Sequence, residues 1–187
     1  MTQTEPQEAD GIDVARALPE QEVLYKSERT LILRRHLPNS RSVIVKKAFG
    51  ADAQAQLRHE ALILKRLEAV QGVIRLAAEQ EAGVLVFEDD RSESLAKFLM
   101  AHRFTQNKAL QLALDITQIL ACVHRAGVIH KDINLSNILL EGPDQRPVLI
   151  DFNIATCFAE ERQSFTHQRQ IAGTLAYMSP EQTGRTG

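Results

Sequence analysis

Between Gly11 and Gly50 the chain contains no glycine, although 9 occur among its 187 residues. That gap excludes a glycine-cradled phosphate loop in the region, because such a loop lets backbone N–H groups approach an anion without obstruction from side chains. Other scarcities are equally directive. Only two cysteines are present, Cys122 and Cys157; they suit a reducing compartment, and two buried thiols are the expected state. Lys and Arg total 22 against 24 for Asp and Glu, so no basic surplus points to nucleic acid or an anionic membrane. The six histidines form neither an HxxxH pair nor a Cys/His cluster, which argues against a structural zinc. No run of about 18 apolar residues exists, so no membrane insertion is expected. The polar, acidic stretch Met1–Asp13 is unlike a secretory signal. A cytoplasmic domain is the expectation, and a 44% hydrophobic content is enough for a core.

What is present falls into ordered pieces. Residues 1–18 carry little apolar pattern and read as a mobile tail. Thr30–Arg34 and Ser42–Lys46 are short β-rich runs with a turn signal, Pro38-Asn39-Ser40, between them. Ala51–Val70 reads as a helix with Asp52 as a candidate cap and Leu57, Glu60, Ile63, Leu64 and Leu67 on one face. Val73–Leu76 and Val84–Glu88 read as two more strands, giving a small antiparallel sheet of about five. Ser94–Met100 and Asn107–Arg125 read as helices, the second stopped by Gly127. That second helix is apolar almost all the way round, which predicts burial on every side. Val128-Ile129, Ile138–Leu140 and Val148–Ile150 complete the set as short strands.

The chemistry-bearing segment runs from Val128 to Asn153. Asp132 precedes Asn137 by five positions, and Asp151 follows a short apolar strand. This is the layout of a phosphoryl-transfer site: one carboxylate positions a hydroxyl, while an amide and a second carboxylate hold the metal ions that carry the nucleotide phosphates.

With these motifs in order, residues 20–187 resemble a eukaryotic-type protein kinase domain. Val43-Ile44-Val45-Lys46 is similar to the family's strand ending in the phosphate-contacting lysine. Glu60 is similar to the helix glutamate that pairs with it, as against two unrelated surface charges. Lys47, on the opposite face of the strand, is expected in solvent. Leu85–Asp90 resembles the interlobe hinge, with Phe87 behind the adenine and backbone groups of Glu88, Asp89 and Asp90 reading its edge. His130-Lys131-Asp132 stands where the family has His-Arg-Asp, so the resemblance makes Asp132 the residue that orients the substrate hydroxyl and Asn137 and Asp151 the magnesium ligands. Gly173-Thr174 through Ser179-Pro180-Glu181 resembles the serine/threonine branch's closing segment, with the Thr174 hydroxyl bracing Asp132. The wording His-Lys-Asp-Ile-Asn and Tyr-Met-Ser-Pro-Glu-Gln-Thr-Gly-Arg further resembles the kinase domain of large bacterial hybrid kinases. The resemblance implies an α+β, bilobal fold: a small antiparallel sheet with one helix over 19–90, and the first part of a mainly helical lobe over 91–187. It implies ATP and Mg2+ as cofactors, a protein substrate, and downstream domains of a larger signalling protein as partners.

Several positions depart from the family. Tyr25, Ser27 and Thr30 stand for the three glycines of the phosphate loop; Ser27, Arg29 and Thr30 are retained as phosphate contacts, with Arg29 compensating by charge. Asn153 replaces the glycine of Asp-Phe-Gly, where its tolerance of a left-handed backbone would let Asp151 point inward. Asn134 replaces a lysine near the γ-phosphate. Lys131 keeps the charge of an arginine without its fork and would answer a phosphate on Ser164 or Thr166. The sequence stops at Gly187, where the family continues into helices, so the long apolar helix is expected to lack part of its cover and Glu181 to lack its arginine. The competing expectations are a pseudokinase or nucleotide-binding regulatory module, and an inactive kinase fragment.

Overall fold

The computed structural model describes residues 21–38, 40–158 and 173–179. The 1–18 tail, Asn39, Ser164, Thr166, Pro180 and Glu181 lie outside the described residues. The fold is α+β. Strands β1 (Gln21–Lys26), β2 (Thr30–His36), β3 (Ser42–Ala48) and β4 (Val84–Asp89) form one antiparallel sheet in that order, and helix α1 (Ala51–Arg66) packs against it. After β4 the chain forms β5 (Glu93–Ser94), α2 (Leu95–Ala101) and α3 (Gln106–Arg125). Four short strands follow: β6 (Val128–Ile129), β7 (Ile138–Glu141), β8 (Arg146–Leu149) and β9 (Thr156–Cys157). They build the small sheets β5-β7-β8 and β6-β9.

β3 is buried on both faces, which explains its nearly continuous apolar run. Val43 and Val45 pack with Leu33 and Val86 on one side. Ile44 and Ala48 join the main core on the other. That main core links Leu57, Ile63 and Leu64 of α1 and the adjoining Leu67 with Phe87, then with Leu112 and Val123 of α3, and finally with Leu149 and Phe152. It therefore runs without interruption from the larger sheet to the segment that carries Asp151.

Four expectations about local structure are corrected. Val73–Leu76 is not a fifth strand, because its pairing is split between two partners. Its first half bonds to β8, with Ile74 N donating to Leu149 O and Leu149 N to Gly72 O, and Leu76 forms a single bridge to Phe87. α1 ends at Arg66, and its N-cap is Gly50 rather than Asp52. Asp52 lies inside the first turn, where its charge favours the positive end of the helix without a capping bond. Lys47 is half-buried rather than solvated. Finally, α3 buries only Leu112 and Val123 among the described residues, while Leu110 and Leu114 stay 58% and 57% exposed. Apolar periodicity identified this helix but could not say which of its faces would find cover.

At Gly72 the 71–76 segment lies close against α3. A Cβ there would lie 2.4 Å from Ile119 Cδ1, and its φ is +78°. Beside it, Arg66 Nε donates to Ala126 O at 2.6 Å and ties the end of α1 to the end of α3.

Candidate functional site

Three separate elements meet at Lys46. Its Nζ lies 2.7 Å from Glu60 Oε2 on α1 and 2.7 Å from Asp151 Oδ1 after β8. Glu60 is 1% exposed and Lys46 8%. Burial works against the Lys46 charge, but the two facing carboxylates outweigh it and raise the ammonium above its ordinary value. Burial raises Glu60, against the pull of Lys46; the nearby Asp151 charge raises it further. The expected Lys46–Glu60 pair is therefore present, and Lys46 bridges to Asp151 as well.

Asp132 sits at the centre of a second network. Its Oδ1 accepts the Thr174 amide at 2.8 Å and the Thr174 hydroxyl at 2.7 Å. Its Oδ2 accepts Asn137 Nδ2 at 2.9 Å. Burial disfavours the Asp132 charge, but hydrogen bonds from Thr174, Asn134 and Asn137 prevail and hold the carboxyl below its ordinary value. The expected bracing of Asp132 by Thr174 is thus found through both the hydroxyl and the backbone.

His130 supports this loop from below. It is 1% exposed, its Nε2 lies 3.0 Å from Ile150 O, and its Nδ1 accepts the Asp132 amide at 3.2 Å. A carbonyl can only accept, so the proton belongs on Nε2 and the ring is neutral. Its face tilts against Phe152, with centroids 4.4 Å apart. Burial lowers the imidazole below its ordinary value.

The donor set fits a divalent cation. Both Asn137 amide protons are committed, to Asp132 O and Asp132 Oδ2 at 2.9 Å each, which leaves Oδ1 as that side chain's acceptor. Ile150 N donates to Asn137 O at 3.0 Å, holding Asn137 beside the strand end that presents Asp151. Two carboxylates, Glu60 and Asp151, share the Lys46 ammonium, an excess of negative charge that suits oxygen-seeking Mg2+. Among the described residues no group of three or more His, Cys, Asp or Glu is placed to hold a metal ion by itself, so a cation here would also need the Asn137 oxygen and the phosphates.

Two expected details are revised. The left-handed backbone falls on Asp151 itself (φ 63°) and on Lys131 (φ 70°), and not on Asn153. The turn that aims Asp151 inward therefore makes no demand on Asn153 for a positive φ. Asn134, read as a missing lysine, is 93% buried and occupied elsewhere. Its Oδ1 accepts the Ser136 and Asn137 amides and its Nδ2 donates to Thr174 Oγ1 at 3.1 Å. An Asn two or three residues ahead of the amides it caps was the signal for this role.

The loops on the nucleotide side hold many of their own polar groups. Ser27, Arg29 and Thr30 form a closed tip: the Ser27 hydroxyl accepts the Arg29 and Thr30 amides at 3.3 and 3.0 Å. Those N–H groups are satisfied within the hairpin. At the hinge, Phe87 is 4% exposed in the core. The Glu88 amide donates to Arg75 O at 3.1 Å. The Asp89 carboxylate takes a forked contact from Arg34, at 2.6 and 3.4 Å, on the sheet side. Asp90 Oδ1 caps the Ser92 amide at 3.0 Å. The side chains of Asp89 and Asp90 are thus committed to the hinge itself.

A family model described as protein kinase domain matches residues 33–187. Over 157 residues the chain is 32% identical to cysteine-rich receptor-like protein kinase 11 of Arabidopsis thaliana, covering 78% of this chain and 23% of that protein. The G-type lectin S-receptor-like serine/threonine-protein kinase At1g67520 of the same plant is 32% identical over 157 residues, covering 78% and 19%. The putative cysteine-rich receptor-like protein kinase 32, also from Arabidopsis, is 32% identical over 165 residues, covering 78% and 25%. The chain therefore spans about a quarter or less of the length of these relatives. No helix among the described residues is long and apolar enough to cross a membrane.

Proposed function

This chain belongs to the protein kinase domain family, and we propose that its site transfers the γ-phosphoryl group of ATP to serine or threonine hydroxyls of a protein substrate. The observation that carries the reading is the Asp132 carboxylate, held on Oδ1 by Thr174 and on Oδ2 by Asn137. A carboxylate so held stays ionised at neutral pH and is a weak base. It is suited to orienting a hydroxyl in line with the phosphoryl group and to receiving its proton late, which is what a loose phosphoryl-transfer transition state asks for.

In this reading Lys46, steered by Glu60, contacts the α- and β-phosphates. Asn137 Oδ1 and the Asp151 carboxylate are the Mg2+ ligands. Bound Mg2+ would neutralise charge developing on the phosphates. Phe87 backs the adenine, and the hinge backbone at Asp90 reads its edge, since the Glu88 amide is already spent. The bacterial hybrid-kinase wording around Tyr177 and His130 supports a place in signalling, with the downstream domains of such a protein as partners.

One observation favours a second reading, a nucleotide-sensing module without turnover: the closed tip at Ser27–Thr30 offers the phosphates no free amide from Arg29 or Thr30. Labelled γ-phosphate from ATP, followed in the wild type and in Asp132→Ala, decides between them. Transfer that the substitution lowers by at least about a hundredfold supports the enzyme. Equal signal from both proteins removes it, and an ATP–Mg2+ thermal shift without transfer leaves the sensing module.

A further inference from the structure

We propose that His59 is a positioning residue for this site: together with Glu60 it forms a two-residue clamp on α1 that grips the turn Phe152–Ala155 and so fixes where Asp151 sits. The inference deepens the phosphotransferase reading and rests on it.

His59 Nε2 lies 2.7 Å from the carbonyl oxygen of Ala155, a residue only 3% exposed. The carbonyl accepts, so the imidazole donates from Nε2. The neutral Nε2–H tautomer and the imidazolium both keep that proton, so the role is geometric. The next residue of α1, Glu60, accepts the backbone N–H of Phe152 while it holds Lys46. Between these two grips the turn closes on itself, Ala155 N donating to Phe152 O at 3.1 Å. Consecutive α1 residues therefore engage the N–H at one end of the turn and the C=O at the other.

The clamp acts at the place where the backbone needs it. Asp151, directly before the turn, holds φ at 63°, a conformation that a non-glycine residue keeps only when its surroundings over-determine it. On the far side of the turn, Thr156 and Cys157 pair with Ile129 and Val128. With β9 anchored there, the His59 bond leaves the turn little freedom to rotate Asp151 away from Lys46. Without it, the turn keeps the Glu60 bond to Phe152 and its apolar packing but loses the grip on its far end.

The test uses the full chain with His59→Ala, His59→Gln and His59→Phe. Gln keeps a donor; Phe keeps the ring's bulk without one and serves where Ala does not fold. Two quantities are read at matched thermal stability: kcat and KM for ATP in phosphoryl transfer, and amide hydrogen exchange over 151–158. Loss of the donor is expected to lower kcat about tenfold to a hundredfold, the scale of a small misplacement of reacting groups, with a smaller change in KM. Exchange over 151–158 rises several-fold, and His59→Gln restores both. A folded Ala or Phe variant with wild-type kcat overturns the positioning role, even if exchange is faster. If the wild type transfers no phosphate, the phosphotransferase reading falls and takes the catalytic role with it; unchanged exchange over 151–158 then removes the clamp as well.

Discussion

The Asp132 carboxylate receives the amide and hydroxyl of Thr174 and the side-chain amide of Asn137. At the tip of the β1–β2 hairpin, by contrast, the Ser27 hydroxyl takes up the amides of Arg29 and Thr30. The first region, the floor of the site, is tied by contacts between residues far apart in sequence: Asp132 to Thr174, Lys46 to Asp151, His130 to Ile150. The second, its roof, is closed mostly by contacts within four residues, with a longer tie from the Phe49 amide to Arg29 O at 2.8 Å, and every residue of β1 is exposed. Distant contacts commit a site to one geometry, because they form only when the whole fold forms. Local ones leave the loop's position over a ligand unspecified. The floor is preorganised for chemistry, and the roof is organised only for itself.

If that contrast holds, substitutions in the floor cost stability as well as activity. The largest effect is expected from Lys46→Met. Its loss leaves Glu60 and Asp151 facing each other without a cation, and breaking a buried pair in this way typically costs about 3–5 kcal/mol. Urea unfolding measures it. A loss near zero would mean that Glu60 simply takes up a proton and that the floor is less dependent on its charges than its geometry suggests. Next comes Gly72→Ala, which tests the seam between the floor and the sheet above. The new Cβ would collide with Ile119 Cγ1 and Cδ1 at a backbone of φ +78°, and overpacking of this kind costs about 1–3 kcal/mol. Gly142→Ala is the control: φ there is +65°, but nothing lies within 4 Å of the added carbon. Equal losses at the two positions would show that backbone strain alone is being measured.

The floor was legible because its parts are separated by short, fixed spacings within one loop and one strand end. Asp132, Asn137, Asp151 and Lys46 each stand in a local motif, and the fold brings them together with Thr174. What escaped depends on partners that spacing does not encode. Asn134 was compared with an absent lysine, when its own side chain caps the following turn. Analogy with glycine points to a positive φ at Asn153, whereas the backbone places it two residues earlier, on Asp151. Val73–Leu76 has the composition of a strand, but its two halves answer to different sheets. That α3 lacks part of its cover was expected, but a helix apolar all round gives no indication of which side will be covered.

A smaller effect is expected from pH. His130 is buried and neutral, with its proton affinity lowered below the ordinary 6.5. As pH falls below about 6.5 the unfolded chain takes up a proton that the folded protein resists, so stability is present above that value and is lost on acidification through the folded value. Wild-type melting temperature is expected to drop between pH 7 and 5 more steeply than that of His130→Asn, which removes the titrating ring. Parallel curves would place the acid sensitivity outside the floor.

The smallest effect tests the roof. Ser27→Gly removes the hydroxyl that closes the hairpin tip and frees the Arg29 and Thr30 amides. One new hydrogen bond to a bound phosphate is worth about 0.5–1.5 kcal/mol net, while the added glycine costs roughly 0.5–1 kcal/mol in chain entropy. The first acts only in the complex and the second only on folding, so they do not offset each other. Calorimetric titration with ATP and Mg2+ is therefore expected to show affinity rising several-fold while the melting temperature of the free protein falls slightly. Affinity that falls instead would mean that the closed tip is itself the binding conformation. The hairpin would then be organised for the ligand after all, through the side chains of Ser27, Arg29 and Thr30, and the contrast between roof and floor would reduce to a difference in exposure.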